Sequence, residues 1–362
     1  MAADLPTLPG VLDRAQVAAC VEVIAAQQEP DGALPWTAGQ HTDTWNHVES
    51  AMALLVGGHV DAAHRAYDWC LATQRADGSW PMRVVAGAVE DASTESNMTA
   101  YLAVGVWHHW LVRRDEAFVR RTWPAVRAAL DHVVGMQLPF GGIAWVRGEA
   151  GVLDDGALLA GSASIFHALR AGLALSQLMD RPQPEWELAA GRLGHALRRH
   201  RDVFLDKSTF SMDWYYPVLG GAVRGAAGHA LLDARWDEFV VPGLGVRCVD
   251  TNPWVTAAET CELALALDAL GRRGEALRLL RDVQHLRSER GGYWTGYVWP
   301  DDAVWPAEET TWTAAAMVLA VDALSGTTAG ADLFRGSSLP ADLPEIGLEC
   351  GCADETLPAR AS

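Results

Sequence analysis

Hydrophobic and polar positions along this chain follow a helical period almost throughout, in two alternating styles. Segments near 12–28, 60–74, 124–137, 184–203, 225–240 and 275–287 carry one apolar stripe and a charged face, the pattern of a surface helix. Between them lie segments rich in Ala, Gly and Leu, near 41–58, 94–112, 158–179, 214–223, 256–270 and 309–324, with few charges on any side. A helix that is apolar all round must be enclosed. The stretch HTDTWNHVESAMALLVGG at 41–58 shows this type best: it opens on His41, Asp43, Trp45, Asn46, His47 and Glu49, then turns apolar. Its polar opening predicts a pocket where the buried helix begins. Strand-like alternation is confined to short candidates such as GIAWV at 142–146.

Helical hairpins whose second helix is apolar on every side cannot stand alone and must close on one another. Twelve helices taken as six outer–inner hairpins predict an all-α (α/α)6 barrel over 1–330, its units spaced irregularly at roughly 45 to 65 residues. The pair near 214–240 is the least clear, because glycines interrupt it. The inner helices then start on one common face, where unpaired N–H groups and helix dipoles gather. From 331 to 362 the period is lost, and an irregular, loop-rich C-terminal tail is expected.

Charge and composition narrow the function. A formal charge of −18 without any Lys/Arg run argues against a nucleic-acid partner. No apolar run is long enough to span a bilayer, and MAADLPTLPG has neither a charged leader nor an apolar core, so a cytoplasmic protein is expected. Six cysteines without a CxxC pair read as reduced thiols, with Cys350-Gly-Cys352 an incidental tail feature. No P-loop, nucleophile elbow or dinucleotide fingerprint occurs, and neither a cofactor nor a metal is expected. Sixteen tryptophans against six tyrosines is the unusual balance, since an indole offers a flat platform for apolar sugar faces or isoprenoids.

The turns QQEPDGALPW (27–36), QRADGSWP (74–81) and RGGYWTGYVW (290–299) resemble the Q-x-x-x-G-x-W repeats of squalene cyclases and protein prenyltransferases. The layout from 12 to 325 also resembles the (α/α)6 glycosidases. With its HTDTWNHVES, NPWVTAAET and WPAEETTWTAA segments, the chain is similar to the actinobacterial methylmannose polysaccharide hydrolases, endo-acting α-mannosidases of the cytoplasm. Terpene chemistry fits poorly: Val152-Leu153-Asp154-Asp155 lacks the first acid of a D-x-D-D run, no DDxxD is present, and His108 and His109 have no Cys or carboxylate at zinc-ligand spacing. The repeat-like turns are therefore scaffold. The resemblance implies a hydrolase of α-1,4-linked mannan-type oligosaccharides, with an oligosaccharide or polysaccharide as its partner.

Glycoside hydrolysis needs one protonated carboxyl for the leaving oxygen and one carboxylate to activate water or attack the sugar. Acids open almost every inner helix, although a first-turn acid is also favoured by the helix dipole alone, by about 0.3–1 kcal/mol. Asp43, ahead of its helix with Trp36, Trp45, His41 and His47 close in sequence, is either an ordinary N-cap or a general acid. Glu259 is either the far half of a capping box begun by Thr256 or a catalytic base, with Glu262 one turn behind it on the same face. Asp43 and Glu259 are the expected catalytic pair, in an inverting mechanism. Glu308 and Glu309 are reserve acids, because several glycosidases of this fold carry a base at that position. Substrate contacts are expected from Trp36, His41, Trp45, His47, Glu95, Asn97, Asp154, Trp214, Tyr215, Trp254, Glu262, Tyr297, Trp299, Glu308, Glu309 and Trp312, while Trp107, Trp110 and Trp123 read as core, as do His167 and His229. Two other readings stay open: a sugar epimerase or cyclase on the same toroid, which as an epimerase would line its mouth with His41, His47 and His229, or a toroid that binds glycan without turnover.

Overall fold

Every residue of α2, Thr44–Val56, is buried, and so is all of α14, Thr311–Ser325, except its last serine. This holds in a computed structural model, which describes residues 4–341 and residue 343. The other helices are α1 (Arg14–Ala25), α3 (Val60–Thr73), α4 (Ser96–Ala100), α5 (Leu102–Arg113), α6 (Glu116–Val134), α7 (Leu159–Leu178) and α8 (Pro184–Arg199), followed by α9 (Ser211–Leu219), α10 (Gly225–Asp233), α11 (Trp236–Phe239), α12 (Ala257–Ala269) and α13 (Arg273–Asp282). The apolar helices touch in the cyclic order α2, α5, α7, α9, α12, α14 and back to α2. The amphipathic helices α1, α3, α6, α8, α10 and α13 pack outside them. Fully buried side chains such as Met52, Leu54 and Leu102 hold this ring together, each contributing about 1.5–3 kcal/mol. The all-α toroid expected from the helical period is the observed fold.

Four repeated turns, near 28–32, 74–78, 137–141 and 287–291, fasten neighbouring hairpins together. Gln74 donates to the carbonyls of Gly78 and Ala125, both at 2.9 Å, and so ties its own turn to α6. Gln28 does the same towards Gly32 and Ala62, and Gln137 towards Gly141 and Ala189. The glycine is required twice over. Gly78 has φ +89°, and a Cβ there would lie 2.2 Å from the Ala128 carbonyl oxygen. Gly32 meets Arg65 of α3 in the same way, and Gly291 meets Ala19 of α1, which closes the circle. Trp80 of the second turn is buried and donates to Cys70 O, so it belongs to the scaffold.

Details depart from the sequence pattern in three places. The segment expected from 124 begins at Glu116 instead, because Asp115 caps it and burial of Phe118, Val119 and Trp123 outweighs the bond that Pro124 cannot make. Among the described residues, ten strands of two to four residues precede or link the inner helices, in sheets of three, five and two strands. Of GIAWV only Val146 is in a strand, paired with Glu95. The start of the tail is irregular, as expected, yet it is not separate from the toroid. Leu333, Phe334 and Leu339 are buried, Arg170 donates to Pro340 O, Arg224 donates to Phe334 O, and Arg335 pairs with Asp268. This plug covers the ends of the inner helices opposite their starts. Cys350 and Cys352 lie outside the described residues.

Gly78→Ala should therefore lower stability by about 2–4 kcal/mol, whereas Gly87→Ala should cost only about 1–2 kcal/mol. Both glycines have positive φ, but nothing lies within 4 Å of a Cβ at Gly87. Thermal or urea unfolding of the two variants separates close approach from backbone strain, and equal losses would count against the docking role of the turn.

Candidate active site

The rim around the inner-helix starts is built from caps and short strands. Asp43 is the N-cap of α2, accepting from the Asn46 backbone N–H at 2.9 Å and from the Asn46 side-chain amide. It is almost wholly buried, with His41 Nε2 at 3.6 Å. Around it stand four aromatic rings. Trp36 stacks on His41 with centroids 6.0 Å apart and leans on Trp312 at 5.7 Å, while Trp45 meets Trp312 at 5.6 Å and Tyr101 at 5.0 Å. Glu308 fixes this group from outside, accepting from Trp36 Nε1 at 3.1 Å and Gln40 Nε2 at 3.2 Å. Glu308 is thereby tied to the indole of Trp36.

Glu95 stands at the N-cap of α4 and accepts from the Met98 N–H. Burial, opposed by that bond and reinforced by the nearby Asp43 charge, pushes its carboxyl up to about 7. Asn97 is beside it, its side-chain oxygen buried without a protein partner. Across the ring Glu259 is buried in the first turn of α12. The capping-box alternative fails, since Thr256 makes no side-chain bond to the helix; burial first, and then the nearby Glu259 charge, raises the pKa of the Cys248 thiol. Asp213 bonds the Ala160 N–H at the start of α7, and burial raises its carboxyl to about 6.

One turn deeper lies a second acidic layer. Glu262 accepts from both Tyr215 Oη and Tyr216 Oη, and Glu49 accepts from Tyr101 Oη at 3.1 Å. Both carboxyls are buried and border a small cavity of about 10 Å³, with Phe334 of the plug in its wall. Desolvation holds Glu49 up to about 8, and desolvation with the Glu49 charge pushes Glu262 well up. Glu262 thus sits behind Glu259, as its one-turn spacing predicts, and is held by tyrosines.

Several expected contacts are committed elsewhere. His47 accepts from the Leu34 N–H at 3.0 Å through Nδ1 and donates to Ala66 O at 2.8 Å through Nε2, and burial lowers its pKa to about 4, which makes it a neutral scaffold imidazole. Trp214 is buried, donating to Leu231 O and stacking on Phe239, so it packs the wall. The Tyr215 hydroxyl is spent on Glu262. Glu309 pairs with Arg290 at 2.8 Å and borders an outer groove with Gln27 and Thr37. Asp154 accepts from the Gly156 N–H in a turn, and Tyr297 donates to Asp302. Trp299 lies under Arg247, and Trp254 donates to Trp305 O on the rim. His229 is on the outer helix α10, so the paired-histidine mouth of an epimerase is not formed. Among the described residues, no three His, Cys, Asp or Glu side chains cluster as metal ligands.

What the rim offers is unspent polarity. Thr44 Oγ1, Trp45 Nε1, Asn97 Oδ1, Ser162 Oγ, Ser211 Oγ, Thr256 Oγ1 and Trp312 Nε1 are buried with no protein partner. Together they represent the start of every inner helix. Buried polar atoms normally find a partner such as an ordered water, and these accompany others deeper in the fold, among them Tyr67 Oη and His108 Nε2.

The fold is shared by carbohydrate enzymes of low sequence identity. A structure described as a wild-type glycosidase superposes with TM-score 0.68 at 15% identity, covering 88% of this chain and all of that one. A GH63 mannosylglycerate hydrolase from Thermus thermophilus gives 0.62 at 16%, over 83% and 98%. A D-mannose isomerase gives 0.64 at 11%, over 87% and 98%. These share the toroid fold of this chain. No protein-family profile matches the chain. It is, however, 55% identical over 349 residues to the MMP endo-(1,4)-3-O-methyl-α-D-mannosidase of Mycolicibacterium hassiacum, covering 96% of this chain and 97% of that one. The chain belongs to that family and is a glycoside hydrolase.

The deep acid layer makes stability depend on pH. Between the ordinary carboxyl value of 4.5 and about 8, folded Glu49 keeps a proton that the unfolded chain releases. Stability therefore falls as pH rises through this window, by at most about 1.4 kcal/mol per pH unit for this group. Glu49→Gln should flatten the slope without abolishing it, since Glu95 and Glu262 act in the same direction. Thermal midpoints from pH 5 to 8 check this, and an unchanged slope would remove Glu49 from the account.

Proposed function

We propose that the chain cleaves internal α-1,4 bonds in 3-O-methylated mannan-type polysaccharide, inverting the anomeric centre. The observation that carries this reading is identity of more than half over nearly the whole length with a relative named for that reaction. A mouth of buried carboxyls and indoles supports it independently. Four unpaired cysteines among the described residues agree with action in the cytoplasm.

In the proposed reaction Glu259 orients a water and takes its proton as the water attacks the anomeric carbon. The bond to the leaving oxygen breaks, and a carboxyl on the opposite side protonates that oxygen. Asp43 and Glu95 stand together there. The sequence alone favours Asp43 as the donor. The environment favours the proton resting on Glu95, which burial and the Asp43 charge keep protonated near neutral pH. Asp43 then acts beside it, fixed by Asn46. Inversion requires carboxyls about 6.5–9.5 Å apart to leave room for water.

Chain shortening of a 3-O-methylated α-1,4-mannooligosaccharide, followed by mass spectrometry, tests the reading. Wild type should produce shorter chains whose new reducing ends appear first as the β anomer by NMR. Asp43→Asn, Glu95→Gln and Glu259→Gln should each lose about 10²–10⁴-fold in kcat while folding normally. Failure of wild type on methylated and unmethylated α-mannans alike would overturn the function. Full activity in Glu95→Gln would return the donor role to Asp43.

A further inference from the structure

Of the sixteen tryptophans, Trp305 is the single exposed one, with 58% of its surface accessible. Exposure of an indole usually goes with a mobile loop, but here the backbone is fastened on both sides. The Trp305 N–H donates to Gly296 O at 2.9 Å, and Trp305 O accepts from Trp254 Nε1 at 2.7 Å. The rings of Trp254 and Trp305 meet edge to face, with centroids 5.2 Å apart at 73°. Trp254 in turn lies so close over Gly296 that a Cβ there would come within 2.2 Å of its Nε1. Gly296 belongs to the central part of the five-stranded sheet, where 296–298 pairs with 254–256. A sheet edge, a tight glycine and a second indole thus hold one large apolar face out to solvent, in a chain whose other fifteen are buried or half-buried.

The location gives this face a purpose. Trp254 opens the strand that leads into α12 and Glu259, and Trp305 precedes α14 and Trp312. Both therefore lie on segments that lead into inner-helix starts, and Trp254 is on the one that carries Glu259. We infer that Trp305, held by Trp254 and Gly296, is an outlying subsite that stacks against the apolar face of one O-methylated hexopyranose unit beyond the point of cleavage. Pyranose C–H faces suit an indole, and an O-methyl ether suits it better, because methylation replaces a hydrogen-bond donor with apolar surface. The side chain offers no ion pair, so recognition rests on stacking. The inference rests on the proposed substrate for the identity of the sugar, and it adds a determinant of chain length and methylation.

Kinetics on methylated α-1,4-mannooligosaccharides of increasing length, with wild type, Trp305→Ala and Trp305→Phe, tests it. Trp305→Ala should raise KM about tenfold for the longer chains, the equivalent of about 1.4 kcal/mol. Its kcat, and both constants for the shortest cleaved chain, should stay within about twofold of wild type, and Trp305→Phe should fall between the two. Unmethylated chains of equal length should show a smaller loss. Equal KM values for Trp305→Ala and wild type at every length would overturn the subsite, as would a fall in kcat on short chains. A fluorescence titration with the methylated chains reads binding without turnover. If wild type binds and quenches while Trp305→Ala binds about tenfold more weakly, the subsite stands even where the hydrolase reading fails. Identical titration curves would sink it on their own.

Discussion

Six helices without a polar side have to satisfy one another, and the rest of the molecule follows from that requirement. Neither face of α2, α12 or α14 can meet water, so each must have two inner neighbours and an outer cover. A ring meets that condition at every position, and a row of hairpins would leave two ends bare. Closure depends on the joints between hairpins, where a Gln side chain bonds two carbonyls and a glycine lets backbones touch. At the last joint Arg287 replaces the glutamine, yet Gly291 still meets α1. The same turns that resemble those of isoprenoid enzymes are thus explained by packing alone.

A ring of this kind concentrates polarity at one end. Helix starts need caps, and Asp43, Glu95 and Thr310 supply them to α2, α4 and α14, while α7 and α9 begin after Leu158 and Phe210. Desolvation then raises the carboxyls, which is the condition for holding a proton near neutral pH. The deeper Glu49–Glu262 layer takes this further than catalysis needs. It is stabilised by three tyrosine hydroxyls and links α2, α5, α9 and α12 through the middle of the ring. A polar layer so placed fixes the rotation of four apolar helices that hydrophobic contact alone would specify weakly. Stability is lost at high pH as a consequence, and the floor beneath the rim carboxyls is fixed in return.

The helical period made the toroid legible, because an apolar stripe and an apolar cylinder look different in one dimension. Which side chains share the mouth was much less legible. Asp43, Glu95 and Glu259 could be picked out by their place before inner helices, but His47 and Trp214 have the same place and are used up by Leu34, Ala66 and Leu231. Those partners come from other elements, and nothing local in the sequence announces them. The cage of Glu49 with Tyr101 and of Glu262 with Tyr216 is missed for the same reason, although an acid two turns inside an apolar helix was a signal that a partner had to exist. Rim strands of two to four residues are too short for alternation to register. Trp305 directly follows one of these strands, and no local pattern marks its exposure.

The plug after α14 bears on how a long polymer could be handled. With Phe334 beneath the Glu49–Glu262 cavity, and Arg170 and Arg224 clamping 334–340, the inner-helix ends opposite the mouth are covered. A polysaccharide then has one face to work with. It cannot thread through the ring, so the internal cleavage proposed above requires the chain to lie across the mouth, with sugar units extending over the rim in both directions. Cleavage within a chain thus depends on features outside the catalytic centre, and the rim supplies two kinds. The Trp36, Trp45 and Trp312 group stands beside Asp43, and the Trp254–Trp305 pair lies on segments that lead into α12 and α14. Aromatic surfaces on more than one segment of the mouth are what a closed cup needs if it is to hold the middle of a chain rather than its end.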